Sequence, residues 1–281
     1  MSVTQRYAVL GNPIAHSRSP EIHAAFAQQF NIDLSYERVL VPLDGFSAHV
    51  DGMRVAGFLG ANVTVPFKLD AFAYADERSS AAQWAGAANT LVFGARVLAD
   101  NTDGFGIVRD ITHNLNTPLA GRRILLLGAG GAARGALQAL LLQKPEAIVV
   151  ENRSLDKAQA WLKDVQNTAD FNEVLSDARL TVKAWDDKAT DAFDVVINAT
   201  ASGLGDSFTP PSGVHFNDKA LAYDMMYGKV TPFLQWALDH HALTADGWGM
   251  LVEQAAKSFS IWHGVTPDTR ALIANPPYKG A

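Results

Sequence analysis

Short apolar runs alternate with polar turns along the first third of the chain. Residues 7–10 form one such run, ending at Gly11, which predicts a short strand cut by a turn residue. Residues 36–41 and 58–65 are further strand candidates. Between the first two, Ile22, Phe26 and Phe30 recur at every fourth position, the spacing of a buried helical stripe. Ser19, Pro20 and Glu21 read as the start of that helix: Ser19 as a hydroxyl N-cap, Pro in the first turn, and an acid near the positive end of the dipole.

A polar stretch at 113–121, with Asn114, Asn116, Thr117, Pro118 and Gly121, predicts a boundary. Beyond it the pattern sharpens. Residues 123–127 are continuously apolar and run into Gly128, Ala129, Gly130, Gly131, Ala132 and Ala133, followed by a helical pattern over 134–142. Residues 147–150 and 194–197 are the next strands, giving a βαβ unit of the doubly wound kind. Near the end, a helix over 250–262 places Leu251, Ala255, Phe259 and Trp262 on one side. The fold class is α/β with two domains, and no internal repeat is present.

Composition narrows the function classes. The chain has 281 residues, 48% hydrophobic and 19% charged, with a formal charge of −6. That balance argues against nucleic acid as a partner, which needs a basic face. With no Cys, disulfides, thiolate metal sites and a cysteine nucleophile are excluded. No His or carboxylate cluster has metal-ligand spacing, so no metal is expected. The longest apolar stretches fall far below the ~20 residues that cross a bilayer, and residues 1–10 are too mixed for a signal-peptide core. A cytoplasmic protein is expected, without a membrane partner.

The glycine-rich turn has the context that dinucleotide binding requires: a strand before it, a helix after it and a second strand about 20 residues on. Gly128 permits the tight turn, Gly130 lets backbone approach a pyrophosphate and Ala133 allows close helix–strand packing, with Gly131 and Ala132 also expected at the cofactor. The helix N-terminus offers N–H donors to phosphate. At the end of the second strand, Arg153, Ser154 and Lys157 suit the 2′-phosphate of NADP, while Glu151 and Asp156 suit the free ribose of NAD.

Three polar clusters stand out in the first domain. Ser17 and Ser19 both present hydroxyls at a helix entrance, where a carboxylate would be favoured; N-capping alone is the other reading of Ser19. In the segment 62–68, alternation puts Asn62 and Thr64 on one face, and Lys68 follows just past Pro66, where it can serve as acid or base. Asn89 and Thr90, then Asp100 to Gly106, form the third cluster, in which Asp103 can orient Lys68. Turn chemistry is the plainer reading of the Asn, Asp and Gly residues.

Nine segments taken in order, 16–20, 62–68, 89–90, 101–106, 128–133, 152–154, 198–200, 223–227 and 246–254, resemble the motif set of shikimate dehydrogenases. The resemblance covers nearly the whole chain. It implies an N-terminal substrate-binding domain over 1–110 plus 246–281, a Rossmann-type NADP-binding domain over 111–245, C-terminal helices returning to the first domain, and an active site in a cleft between them. The implied activity is reversible NADPH-dependent reduction of 3-dehydroshikimate to shikimate, a step of aromatic amino acid biosynthesis, by a monomer or homodimer.

By motif position the resemblance implies that Ser17 and Ser19 hold the substrate carboxylate, with Tyr227 facing that end. Thr64, Asn89, Asp103 and Gln254 would bond the ring hydroxyls, and Lys68 with Asp103 would form the catalytic pair. Asn152, Arg153, Ser154 and Lys157 would select NADP, and Thr200, Met225 and Gly247 would line the nicotinamide. Two positions depart from the pattern. Ala201 stands where the family commonly has Ser, with Ser202 next. Lys157 stands where a second Arg is usual, and Lys binds phosphate as a point charge, not as a fork. The alternative is an NAD-preferring quinate/shikimate dehydrogenase. A non-catalytic dinucleotide-binding regulator is a more distant one, opposed by the presence of both Lys68 and Asp103.

Overall fold

The apolar run near the N-terminus forms β1 (Gln5–Gly11), whose last five residues are buried. The computed structural model describes residues 4–278 apart from 176–177, 188–189 and 201–207; Ala201 and Ser202 therefore lie outside the described residues. After β1 come α1 (Ser19–Gln29), β2 (Leu34–Leu40), α2 (Phe46–Val55), β3 (Phe58–Val63) and α3 (Lys68–Tyr74). A short β4 (Glu77–Arg78), α4 (Ser80–Ala85) and the hairpin β5 (Thr90–Phe93) and β6 (Val97–Asp100) complete the sheet. Its order is β2-β1-β3-β5-β6-β4. β1 runs parallel to β2 and β3, while β5 runs antiparallel to β3 and β6. Leu10, Val41, Phe46, Val50, Phe67 and Leu91 form the centre of one core cluster.

Three expectations here need correction. Ser19 is not the N-cap of α1: Arg18 holds that position, and no side chain caps the helix. Ser19 is instead a first-turn residue, so its hydroxyl is released from capping. Phe30 does not continue the buried stripe of Ile22 and Phe26, because α1 ends at Gln29 and Phe30 is its C-cap; its ring lies on that of Phe259 at 6.1 Å. The strand expected to reach 65 stops at Val63.

α5 (Asp103–Arg109) leads through a turn of π-helix at Asp110–Asn114 into the second unit. That unit contains β7 (Arg123–Leu127), α6 (Gly131–Leu141), β8 (Ala147–Asn152), α7 (Leu155–Gln166), α8 (Phe171–Leu175) and β9 (Arg179–Ala184). It continues with β10 (Asp191–Asn198), β11 (Val214–Asp224), α9 (Pro232–Asp239) and β12 (Leu243–Ala245). The strands pair in parallel in the order β12-β11-β10-β7-β8-β9. Read from the other edge and counted from β7, this is the 3-2-1-4-5-6 order of the dinucleotide-binding fold, whose strand order reverses between β7 and β10. The near-continuous apolar runs of β7 and β10 follow from burial on both faces of a parallel sheet.

α10 (Trp248–His263) and α11 (Arg270–Ala274) are the last helices among the described residues. One compact unit comprises Met1–Gly106 with Leu251–Asn275, the other Ile107–Met250 with the segment from Pro276 onward. The first division therefore falls at 106, inside α5, and not in the polar stretch at 113–121. That stretch looks like a linker in composition, yet Leu119 within it is buried, as is Ile111 just before it, and the Tyr223 hydroxyl donates to the preceding Asp110 at 2.6 Å. The second division falls at 250 and not at 245, since Gly247 packs against Met225 and Gly249 against Asp110.

Candidate active-site residues in the two units

Lys68 is the first residue of α3 and Asp103 the first of α5. Their side chains meet: Lys68 Nζ lies 2.5 Å from Asp103 Oδ2, with 19% and 7% of the two side chains exposed. A charged hydrogen bond with so little solvent around it is held more firmly than a surface pair. Asn89 fixes the acid from the other side, donating from Nδ2 to Asp103 Oδ1 at 2.8 Å. The same amide approaches Gln254 Oε1 at 3.2 Å, and Asn89 Oδ1 accepts from the Thr102 backbone N–H at 2.9 Å. Four residues expected to share a site, Lys68, Asn89, Asp103 and Gln254, thus form one bonded cluster within the first unit.

Ser17 and Ser19 are joined as well. The Ser17 hydroxyl donates to Ser19 Oγ at 3.2 Å, and the Ser19 N–H donates to Ser17 Oγ at 3.3 Å. Arg38 fixes the turn by donating to the Ser17 carbonyl at 2.8 Å while its other end grips Glu21. Thr64 is half-buried just past β3, and its Cγ2 fills the space over Gly11, where an added Cβ would lie 2.7 Å away.

Sequence reasoning assigned no role to the layer beneath these groups. Asn62 Nδ2 donates to the Asn89 carbonyl at 3.1 Å, to Thr90 Oγ1 at 3.1 Å and to Ser258 Oγ at 2.9 Å. Tyr36 donates to Asn62 Oδ1 at 2.7 Å, and burial holds its phenol well above the ordinary range. The Thr102 hydroxyl lies within 3.3 Å of both Gln254 and Ser258. Asn62, Thr90, Thr102 and Ser258 are all buried, so removing any one leaves polar partners without water to replace it. A signal existed for part of this layer: Gln254 and Ser258 are four apart on α10 and so share a face.

In the second unit, Gly128 follows β7 with φ +104, a conformation that L side chains rarely adopt. An added Cβ there would also lie 3.1 Å from Thr200 Cγ2 and 3.3 Å from the Ala199 carbonyl. Gly128 and Thr200 therefore sit together where the strand order reverses. Nothing lies within 4 Å of an added Cβ at Gly130 or Gly131, and no side chain caps α6. The backbone is accessible there and the first-turn N–H groups are not occupied by a cap, which fits a pyrophosphate. Ala132 follows half-buried, and Ala133 is fully buried at the helix–strand contact.

At the end of β8, Asn152 donates to the Ser154 carbonyl at 2.8 Å and shapes the turn. Arg153, Ser154 and Lys157 are exposed, and neither cation holds an ion pair among the described residues. Their chemistry fits a phosphate. Glu151, weighed above as a ribose acceptor, is buried. Burial pushes its carboxyl up to about 7, and Oε2 has no hydrogen-bond partner in the protein; this is an inward-packed carboxyl and not an acceptor presented on the loop. Asp156 is exposed in the first turn of α7.

A second hub that the sequence did not disclose is Asp224. Its carboxylate accepts from Thr231 Oγ1 at 2.5 Å, Asn198 Nδ2 at 3.1 Å and the Met226 N–H at 2.9 Å, and burial raises its pKa. Asn198 Oδ1 in turn accepts from the Thr200 hydroxyl at 2.7 Å. Asp224 thereby ties Thr200 to the turn carrying Met225 and Tyr227. Gly247 packs against that turn so closely that an added Cβ would lie 2.3 Å from the Met225 carbonyl oxygen. Tyr227 is half-buried among aromatic rings, beside Trp248 at 6.1 Å.

Comparison with known proteins agrees along the chain. Residues 9–91 match the shikimate dehydrogenase substrate binding domain, 110–204 the shikimate / quinate 5-dehydrogenase family and 247–274 the shikimate 5′-dehydrogenase C-terminal domain. The chain is 54% identical to the NADP(+) shikimate dehydrogenase of Aromatoleum aromaticum over 273 residues, 96% of this chain and 95% of that one. Among solved structures, the Ael1 enzyme of Pseudomonas putida superposes with a TM-score of 0.86 at 45% identity, covering 96% of this chain and 97% of that one. The shikimate 5-dehydrogenase of Thermus thermophilus, solved with NADP(H) and shikimate, gives 0.81 at 32% identity, covering 96% and 97%.

Proposed function

The chain belongs to the shikimate dehydrogenase family, and from that premise we propose that it catalyses the reversible NADPH-dependent reduction of 3-dehydroshikimate to shikimate, using Lys68 and Asp103. It is an oxidoreductase with NADP as its coenzyme, and the NAD-preferring alternative is not favoured. The observation that carries the residue assignment is the 2.5 Å pair between Lys68 and Asp103, braced by Asn89.

The coenzyme, when bound, supplies the hydride. The chain's own part is positioning and proton transfer. As negative charge develops on the ketone oxygen, the Lys68 ammonium stabilises it and delivers a proton from Nζ. Asp103 keeps the ammonium aimed and the Asn89 amide keeps Asp103 in place. Lys68 is exposed enough to recover its proton from water. Ser17 and Ser19 donate their hydroxyls to the substrate carboxylate, supported by Tyr227, while Thr64, Asn89, Asp103 and Gln254 bond the ring hydroxyls. In the second unit, Gly128 to Ala133 receive the pyrophosphate. Asn152, Arg153, Ser154 and Lys157 receive the 2′-phosphate, and Thr200, Met225 and Gly247 border the nicotinamide.

Initial rates of shikimate oxidation with NADP and with NAD, run beside quinate, test the reading. Activity dominated by NADP and shikimate supports it. Activity mainly on quinate with NAD would transfer the chain to the alternative branch, and no activity with any pair would reopen the assignment of Lys68 and Asp103.

A further inference from the structure

The last described residues of the chain pack in the second unit, although the preceding helices α10 (from Leu251) and α11 belong to the first. Tyr278 is the anchor. Its hydroxyl lies 2.9 Å from Asp246 Oδ2 and donates to it. Asp246 is already engaged twice: Oδ2 accepts the Gly228 N–H at 3.1 Å and Oδ1 accepts the Trp248 N–H at 3.1 Å. The Tyr278 ring stacks on Tyr227 with centroids 6.5 Å apart and planes at 28°, and meets Trp248 edge-on at 5.8 Å. It also covers Gly228, where an added Cβ would lie 3.7 Å from Tyr278 Cδ1.

Tyr227 is half-buried. It sits on the turn between β11 and α9, next to Gly228, which has φ +89, and residues 228–230 are exposed. A phenol on such a turn has several rotamers, and ordering it costs free energy each time it must meet a ligand. The three-ring cluster removes that freedom in advance: one face of Tyr227 is covered by Tyr278, and its backbone is tied through Gly228 and Asp246 to the same hydroxyl.

We propose that Tyr278 is a positioning residue for substrate binding, setting the Tyr227 side chain in the orientation that receives the substrate carboxylate. This rests on the reading of Tyr227 given above. Tyr278 touches no reacting atom; it acts through Tyr227.

The test is a double-mutant cycle read in the KM for shikimate and in shikimate binding followed by tryptophan fluorescence. Tyr278→Ala should raise that KM about five- to twentyfold, the scale of one lost ring stack and one lost hydrogen bond, with kcat and the KM for NADP changed less than about twofold. Tyr278→Phe keeps the ring and should recover most of the loss. In a Tyr227→Phe background, Tyr278→Ala should add nothing, because the hydroxyl it positions is gone. An unchanged KM in Tyr278→Ala, or an equal further loss in the Tyr227→Phe background, overturns the proposal while leaving the reading of Tyr227 intact. An unchanged KM in Tyr227→Phe alone removes Tyr227 from the carboxylate site and the proposal with it. A purely structural role for Tyr278 would show instead as a lowered Tm with no change in KM.

Discussion

Asn89, just before β5, and Asp103, at the start of α5, are locked by a 2.8 Å hydrogen bond from the amide to the carboxylate oxygen that Lys68 does not hold. Both oxygens of Asp103 are thus engaged, one by Asn89 and the other by the Lys68 ammonium. Lys68→Ala should lower kcat about 100- to 10,000-fold, with a smaller change in KM, as expected for a proton donor lost in the transition state. Steady-state kinetics checks this, and an unaltered kcat excludes Lys68 from the chemistry.

Arg153 is exposed at the end of β8 with no ion pair among the described residues. Its substitution by Ala should raise the KM for NADP tenfold or more, on the order of 1.4 kcal/mol for one charged hydrogen bond to phosphate, and leave the KM for NAD nearly unchanged. Equal changes for the two coenzymes would show that Arg153 does not read the 2′-phosphate.

Glu151 ties stability to pH. Its carboxyl, pushed from 4.5 up to about 7 by burial, keeps its proton in the folded chain after the unfolded chain has lost it. The stabilisation from that proton is complete below the unfolded value and is lost as the pH rises toward about 7. Glu151→Gln, neutral throughout, should flatten this decline and exceed the parent in stability by about 1–3 kcal/mol near pH 8. Urea midpoints at acid and alkaline pH decide it; parallel curves for the two proteins would mean that Glu151 titrates normally.

Gly247→Ala places a Cβ 2.3 Å from the Met225 carbonyl oxygen, which is backbone and cannot swing aside. The expected outcome is a loss of about 2 kcal/mol or more of stability, together with a raised KM for NADP as the Met225 turn is displaced. Thermal melts unchanged from the parent would mean that the turn shifts freely.

The coenzyme unit was largely legible because its signals are local. The apolar run of β7, the glycines after it and the helical pattern of α6 lie within twenty residues, and burial of a parallel strand on both faces writes itself as an unbroken apolar run. The pairing of Lys68 with Asp103 was suggested by residue type and by motif likeness, not by spacing, since the two are 35 residues apart. What stayed hidden is non-local. The bond from Asn62 to Ser258 spans 196 residues, and no pattern in either segment names the other. Ser19 was misplaced by one helical position because Pro fits either of the first two turn positions. The stretch at 113–121 imitated a linker because its composition is polar, while the burial of Leu119 within it and Ile111 just before it is set by tertiary packing.

That same bond between Asn62 and Ser258 sets an order of assembly. Tyr7 at the start of the sheet stacks on Trp262 at 4.5 Å, and Phe26 meets Phe259 at 5.7 Å, so the first unit includes a helix that is synthesised after residues 107–250 of the other. The unit from Ile107 to Met250 is almost continuous in sequence and can close on local contacts while synthesis is still under way. The sheet of β1 to β6 therefore waits with one flank uncovered until the Leu251–His263 part of α10, which follows the whole of Ile107–Met250, arrives.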